Sequence, residues 1–304
     1  MSSGRISSNF SIPAGVLILL GCLLSGHVLG LGVDAEIGMR HEQNLGRAER
    51  QADQEHDTAL VLNAHAEQQF RLDPLTRISV EGGLGTRRWT RFDDLSEYSA
   101  ELGVRARRAL NHSFEAPWAE LSLKAIGLQH QDSDIRDGGI LRAGATGGRR
   151  FGHRFDARLG YAYQIRRAAE DRIFDLEHHE MFGQLDVQLG RRWLVYLEVG
   201  VIEGELVSTA GIPNPRFARA AKILPRGDDD AFGLGPSPLG SGLSPRWTYQ
   251  IEGVVLNGEI GINYPLRPGL AIDVAARYVQ AYASGDIEYD GYTVNAGLLW
   301  QFGR

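Results

Sequence analysis

Acids and bases recur along this chain at even spacings, and that spacing decides which of them can meet. Glu36 and Arg40, His65 and Glu67, Arg77 and Glu81, Glu101 and Arg105, Glu120 and Lys124, and Glu180 and Asp186 are such pairs. Arg142, Arg158, Glu198, Glu259, Asp273 and Arg277 occupy equivalent places in other segments. On a strand, residues an even number apart share a face. Two chemistries are open to that face. Interleaved charges of both signs neutralise one another as an internal salt-bridge lattice, the condition on which buried charges persist. Rings or tracks of one sign would instead select ions. The signs here are nearly balanced and no single-signed track appears, so a channel through this face would show low conductance and weak ion selectivity.

Other reactive-looking groups are few. His178 and Glu180 share a face and offer two metal ligands, but no third or fourth is identifiable, so neither metal nor cofactor is expected. Asp228, Asp229 and Asp230 read as a calcium-holding loop or as a charged surface loop. Gly233, Gly235, Gly240 and Gly242 lie in a Pro/Gly-rich stretch without the strand-to-helix context of a phosphate cradle. Arginine pairs cluster at segment ends, where snorkelling to a membrane interface accounts for them. For Arg87, Arg88, Arg91, Arg166 and Arg167, contact with lipopolysaccharide phosphates is an added expectation.

The elements that position these residues are strands. In the last segment Tyr292, Val294, Ala296, Leu298, Trp300 and Phe302 alternate with Thr293, Asn295, Gly297 and Gln301, Leu299 being the exception. The cleanest internal example sets Phe155, Ala157, Leu159, Tyr161, Tyr163 and Ile165 against Asp156, Arg158, Gly160, Gln164 and Arg166. About twelve such segments follow one another, each with an apolar and a polar face, and no helical period extends beyond a few residues. One segment, Trp247 to Tyr264, changes phase near Gly253, which predicts a bulge. Connections after segments two, six, eight and ten are short. Those after one, five and nine are long, the ninth spanning 208–246.

Composition sets outer limits. The chain has 304 residues, a net charge of −6, 43% hydrophobic residues and 38 glycines. No apolar run reaches the roughly 20 residues of a membrane-spanning helix, and mild acidity argues against a nucleic-acid partner. Residues 1–30 read as a signal peptide, with Arg5 ahead of an apolar core from Ala14 to Leu24 and small residues at Val28 and Gly30. Leu19 to Cys22 also loosely fits a lipoprotein signal, so the processing route stays open; Cys22 is the one cysteine.

Strict alternation, aromatics at both ends of apolar faces, an even strand number and alternating long and short connections together predict one domain over 31–304. It is an all-β, antiparallel up-and-down transmembrane barrel of about 12 strands with both termini periplasmic. The C-terminal strand, with Tyr292, Trp300 and Phe302, resembles the signal by which Gram-negative outer-membrane β-barrels are delivered to their assembly machinery. Gly303 and Arg304 follow where such chains usually end. The resemblance implies an outer-membrane location, with lipid, lipopolysaccharide and that machinery as partners. Gly258 to Leu266 also loosely resembles the closing strands of the twelve-stranded outer-membrane phospholipases. Those enzymes need a His-x-Ser on one strand face; here His112 and Ser113 are adjacent, so enzymatic activity is not expected. The function expected is a narrow porin-like channel for small solutes or export. A non-conducting scaffold that binds an envelope partner is the alternative, and a lipid-modifying enzyme ranks third.

Overall fold

The computed structural model describes residues 31–190, 192–211, 222–223, 231–232, 234–236 and 243–302. The expected leader over 1–30, Cys22, Asp228 to Asp230, Gly233, Gly240, Gly242, Gly303 and Arg304 lie outside the described residues. Twelve long strands dominate: β1 (Leu31–Glu42), β2 (Asp57–Arg71), β3 (Thr76–Trp89), β4 (Glu97–Ala109), β5 (Trp118–His130), β6 (Gly138–Phe151), β7 (Phe155–Ala168), β8 (Leu176–Leu189), β9 (Trp193–Ala210), β10 (Trp247–Arg267), β11 (Leu270–Ala283) and β12 (Ile287–Phe302). Each pairs antiparallel with its sequence neighbour, and β12 returns to β1 from Val33↔Phe302 to Glu42↔Thr293. The sheet is thereby a closed up-and-down barrel, which has no free edge to expose unpaired backbone. A two-residue strand, Lys222–Ile223, pairs with the part of β10 that rises above β11.

The outer face is apolar. Leu84, Leu102, Leu121, Leu141, Leu159, Met181, Val199, Ile260 and Val274 are all exposed there, Leu159 to 72%. Aromatic residues flank this band at two levels. Phe70, Phe151, Phe155, Trp193 and Phe302 mark the end with short turns, and Tyr98, Tyr278, Tyr282 and Tyr292 lie toward the end with long loops. An apolar belt between two aromatic girdles is what a lipid bilayer demands of a barrel exterior.

The two ends are built differently. At the short end the β2–β3 turn is closed by Asp73, whose Oδ1 accepts the N–H groups of Leu75 (2.8 Å) and Thr76 (2.9 Å). The Leu75 N–H first, then the Thr76 side chain, hold the Asp73 carboxyl below its ordinary pKa. At the long end, the loops after β3, β5 and β7 each contain one 3-10 turn and share a clasp. The N–H ending the outgoing strand donates to the residue just past that turn: Trp89 to Ser96 Oγ (3.0 Å), His130 to Asp137 Oδ1 (2.6 Å) and Ala168 to Asp175 Oδ1 (2.8 Å).

Two expectations about β9 and β10 are corrected. No bulge occurs at Gly253; the β9–β10 register runs unbroken from Trp247↔Ala210 to Asn263↔Leu194, and the irregularity lies instead at Pro265/Arg267. The apolar phase changes near Gly253 because inward positions above it, such as Ile251 and Tyr249, are buried under loops. The connection is also shorter than 208–246, since β9 continues through Ala210.

Candidate functional site in the lumen and at its mouth

Strand register places Glu36, Arg40, His65, Glu67, Arg77, Glu81, Glu101, Arg105, Glu120, Lys124, Arg142, Arg158, Glu180, Asp186, Glu198, Glu259, Asp273 and Arg277 on the face opposite the exposed apolar residues. Most of them form a lattice. Arg105 bridges Glu67 and Glu81 (both 3.0 Å), Lys124 bridges Glu81 (3.3 Å) and Glu101 (3.2 Å), and His65 meets Glu101 at 2.9 Å. Arg107 pairs with Glu120 at 3.3 Å and Arg142 with Glu180 at 2.5 Å. Arg158 holds Asp156 (3.2 Å) and Asp186 (2.9 Å), and Arg277 holds Glu259 (2.7 Å) and Glu198 (3.6 Å). Each of these pairs lies within one strand or joins strands no more than two apart, so the lattice follows the wall and does not bridge the lumen. The side chains remain partly solvated, as with Arg158 at 34%.

Inward glycines leave room for their cross-strand neighbours. Gly85, Gly103, Gly144, Gly160, Gly200 and Gly261 each face a directly paired, larger residue: Ser99, Glu81, Ser122, Phe182, Asn257 and Tyr196. A Cβ at any of these glycines would come closer than 3.0 Å to that neighbour's side chain. The glycines are therefore seats for cross-strand side chains, among them Glu81 of the lattice.

The mouth at the long-loop end is covered. Phe232 packs on Phe92 with ring centroids 5.5 Å apart, lies against Gly46, and has the Arg136 guanidinium 5.6 Å from its ring. These contacts join the loops after β1, β3, β5 and β9. The upper β9–β10 hairpin leans onto the first loop, with Thr209 N–H donating to Gly46 O (2.7 Å) and Ser208 Oγ to Arg47 O (2.8 Å). Its Leu206, Ala210, Tyr249 and Ile251 bury against Ala48, Ile287 and Tyr289. Gln250 donates to Asp175 O in the loop after β7. Gly204 permits the lean: its φ of 145° suits glycine, and a Cβ there would strike Glu177 O and the His178 Cα. An ionic latch holds the cover down. Arg246, with 2% of its side chain exposed, donates to Asp53 O (2.6 Å) and pairs with Glu55, which also meets Arg91 at 2.9 Å.

Neighbouring residues on a strand face opposite ways, which corrects the lipopolysaccharide set. Arg88 and Arg167 are on the outer side, bonded to Tyr98 and Glu177, and Arg91 lies in an outer loop. Arg87 and Arg166 point inward, to Glu97 (3.3 Å) and the Arg136 carbonyl (2.6 Å), and cannot touch external phosphates. Tyr292 and Phe302 of β12, expected from the sequence to carry the assembly signal, are exposed on the outer face, and Trp300 shares that face. His178 and Glu180 both face inward, but Glu180 is taken by Arg142, and no metal-ligating group of three is found among the described residues. His112 and Ser113 sit in the β4–β5 turn. Sequence reasoning missed Tyr196, Asn63, Glu55 and Arg246. Tyr196 and Asn63 lie at inward positions, so alternation could have included them; nothing local marks Glu55 and Arg246 as partners.

No family model and no curated protein matches the chain. Solved structures do. An outer-membrane channel from Pseudomonas putida F1 aligns over 90% of this chain and 96% of its own, with 11% identity and a TM-score of 0.53. The KdgM porin (11% identity, 88% and 99% covered, TM-score 0.43) and the NanC porin (8%, 88% and 98%, 0.46) are also similar. The chain thus has the fold of Gram-negative outer-membrane β-barrels.

Proposed function

We propose that this protein is a narrow, porin-like channel for small solutes in a Gram-negative outer membrane, entered or left through a mouth that the β9–β10 hairpin covers. The observation that supports it most is the course of the ion pairs. They run along the wall and leave polar space inside, including a cavity of about 250 Å³, where a space-filling plug would have bridged the lumen. The apolar belt and paired aromatic girdles support the membrane location. The neighbouring fold, an outer-membrane channel in Pseudomonas putida, supports conduction over enzymatic chemistry. Arg88, Arg91 and Arg167 lie where lipopolysaccharide phosphates would compete with their partners Tyr98, Glu55 and Glu177.

The buried apolar cover favours a second reading, a sealed scaffold whose loops engage an envelope partner. Single-channel recording on refolded protein separates them. Deleting Gly227 to Gly242 removes Phe232 from the cover and should raise conductance several-fold. A deletion variant as tight as the parent would reject the channel and leave the scaffold. Fractionation tests location: recovery of the protein in the soluble periplasm, or boiled and unboiled samples running alike on gels, would defeat it. Phe302→Ala should lower membrane levels by weakening delivery to the assembly machinery.

A further inference from the structure

We propose that the lumen contains a binding site for small zwitterions, solutes carrying an ammonium and a carboxylate a few bonds apart. The site is the 250 Å³ cavity between the β1–β3 wall and the β9–β12 wall. Its size falls just below the ~300–1,000 Å³ of common small-molecule pockets and suits a molecule of amino-acid size.

The uneven neutralisation of its lining carries the assignment. Asp273 of β11 pairs directly with Gly297 of β12, and Glu36 of β1 lies on the other side, its Oε1 3.6 Å from where a Cβ on Gly297 would stand. Gly297 therefore places no side chain between the two carboxylates. Among the described residues, both are held only by neutral donors. Glu36 accepts from the Asn63 amide at 2.9 Å; Asp273 accepts from the Tyr196 hydroxyl at 2.9 Å and the Asn263 amide at 3.2 Å. Glu259, the third acid in the lining, already has its cation in Arg277. Two carboxylates sharing a partly desolvated wall without a cation are costly, and an ammonium group relieves that cost.

The rim side of the same cavity has the opposite need. Arg40 and Arg87 line it, each with one terminal nitrogen on an acid, Glu42 at 3.1 Å and Glu97 at 3.3 Å. Both side chains stay about a third exposed, 30% and 33%, and no acid other than Glu42 and Glu97 pairs with either among the described residues. A solute carboxylate can accept from these guanidinium groups in charge-assisted bonds. A simple cation would satisfy only the acids, and an anion only the arginines. A zwitterion meets both, with Tyr196 and Asn295 completing the polar lining.

This inference deepens the channel reading, on which it rests for any traffic through the site, but binding is measurable without conduction. The experiment is calorimetric titration of the refolded full-length protein in detergent with L-alanine, L-alaninamide and L-lactate, which share a three-carbon skeleton and differ in end charge. Alanine should bind at least roughly tenfold more tightly than either analogue. Glu36→Gln with Asp273→Asn should cost alanine roughly tenfold while the unboiled gel shift stays normal. Should the double variant fail to fold, Glu36→Gln alone reads the same wall. Arg40→Gln should weaken alanine and leave alaninamide unaffected. Equal binding of alanine and either analogue, or unchanged alanine affinity in the folded variants, overturns the site. Alanine binding with no conductance after removal of the cover would defeat the channel and keep the site. Conductance without alanine preference would do the reverse.

Discussion

Inward positions of β12 change character within a few residues. Asn295 lines polar space in the middle of the barrel and Gly297 lies beside Glu36, whereas Ile287 and Tyr289, higher on the same face, are buried among Ala48, Tyr249 and Ile251. The same contrast recurs on β10, where Glu259 is paired to Arg277 and Ile251 is 1% exposed. Strand geometry fixes which way a side chain points and says nothing of what it meets. In the middle the inward face meets water and other charges, so it is polar. At the mouth, loops fold over it, and the hydrophobic effect that populates soluble cores operates there instead. The mouth is in effect a small globular core set on a membrane barrel.

The largest test of that contrast is Arg246→Ala. Removing one partner of a buried ion pair costs about 3–5 kcal/mol when the remaining charge is left uncompensated; here Glu55 keeps Arg91 while the Asp53 carbonyl loses its donor, so a loss near the lower end is expected, and it falls on the cover. Hydrogen exchange at the Thr209 amide, which holds the hairpin to Gly46, should accelerate while amides in mid-barrel strands stay protected. Equal acceleration in both places would show that mouth and middle form one cooperative unit.

Next comes Leu159→Arg. It puts a charge on the lipid face near mid-strand and should cost about 2–4 kcal/mol in urea unfolding from lipid vesicles. Arg158→Leu, one residue away, should shift that midpoint little. Asp156 keeps Arg150 and Asp186 keeps Gln184 after its removal, and partly solvated pairs contribute modestly. Comparable losses from the two would make Arg158 a structural keystone of the lattice.

A smaller effect is expected of Gly204→Val. Its φ of 145° and the contact with Glu177 O leave a branched side chain strained by about 1–3 kcal/mol. The hairpin should straighten and open the mouth, so single-channel current should rise with the barrel intact. Smallest of all is Ser96→Ala, which orphans the Trp89 N–H and should cost about 1 kcal/mol, the low end for an unsatisfied buried donor. Thermal unfolding would detect it as a shift confined to loop probes.

What the sequence made legible follows from this division. Period-two alternation located all twelve strands and the inward charges, because lipid on one side and water on the other impose one rule along every strand. It failed where the rule changes. Ile251 and Tyr249 looked like a phase slip at Gly253 because an apolar inward residue has no place in a barrel read as lipid outside and water inside. The clasps of Ser96, Asp137 and Asp175 were invisible because each is one short polar residue in a polar loop. Arg87 and Arg166 were misassigned through treating adjacent arginines as a unit, although adjacent strand residues face opposite ways.

The β1–β12 seam has a consequence for the order of events in assembly. Every other barrel pairing joins consecutive strands, so hairpins and their neighbours can form from contacts close in the chain, at small loop-closure entropy. Val33 and Phe302 must instead meet across almost the entire described sequence. That step carries the greatest entropic penalty and repays it only when the rest of the sheet is already in place. Until then β1 and β12 each present an unpaired edge, and the aromatic-bordered strand ending in Phe302 is free to be held by something else. The seam is thus the natural last step of barrel formation, and both edges stay open until it forms.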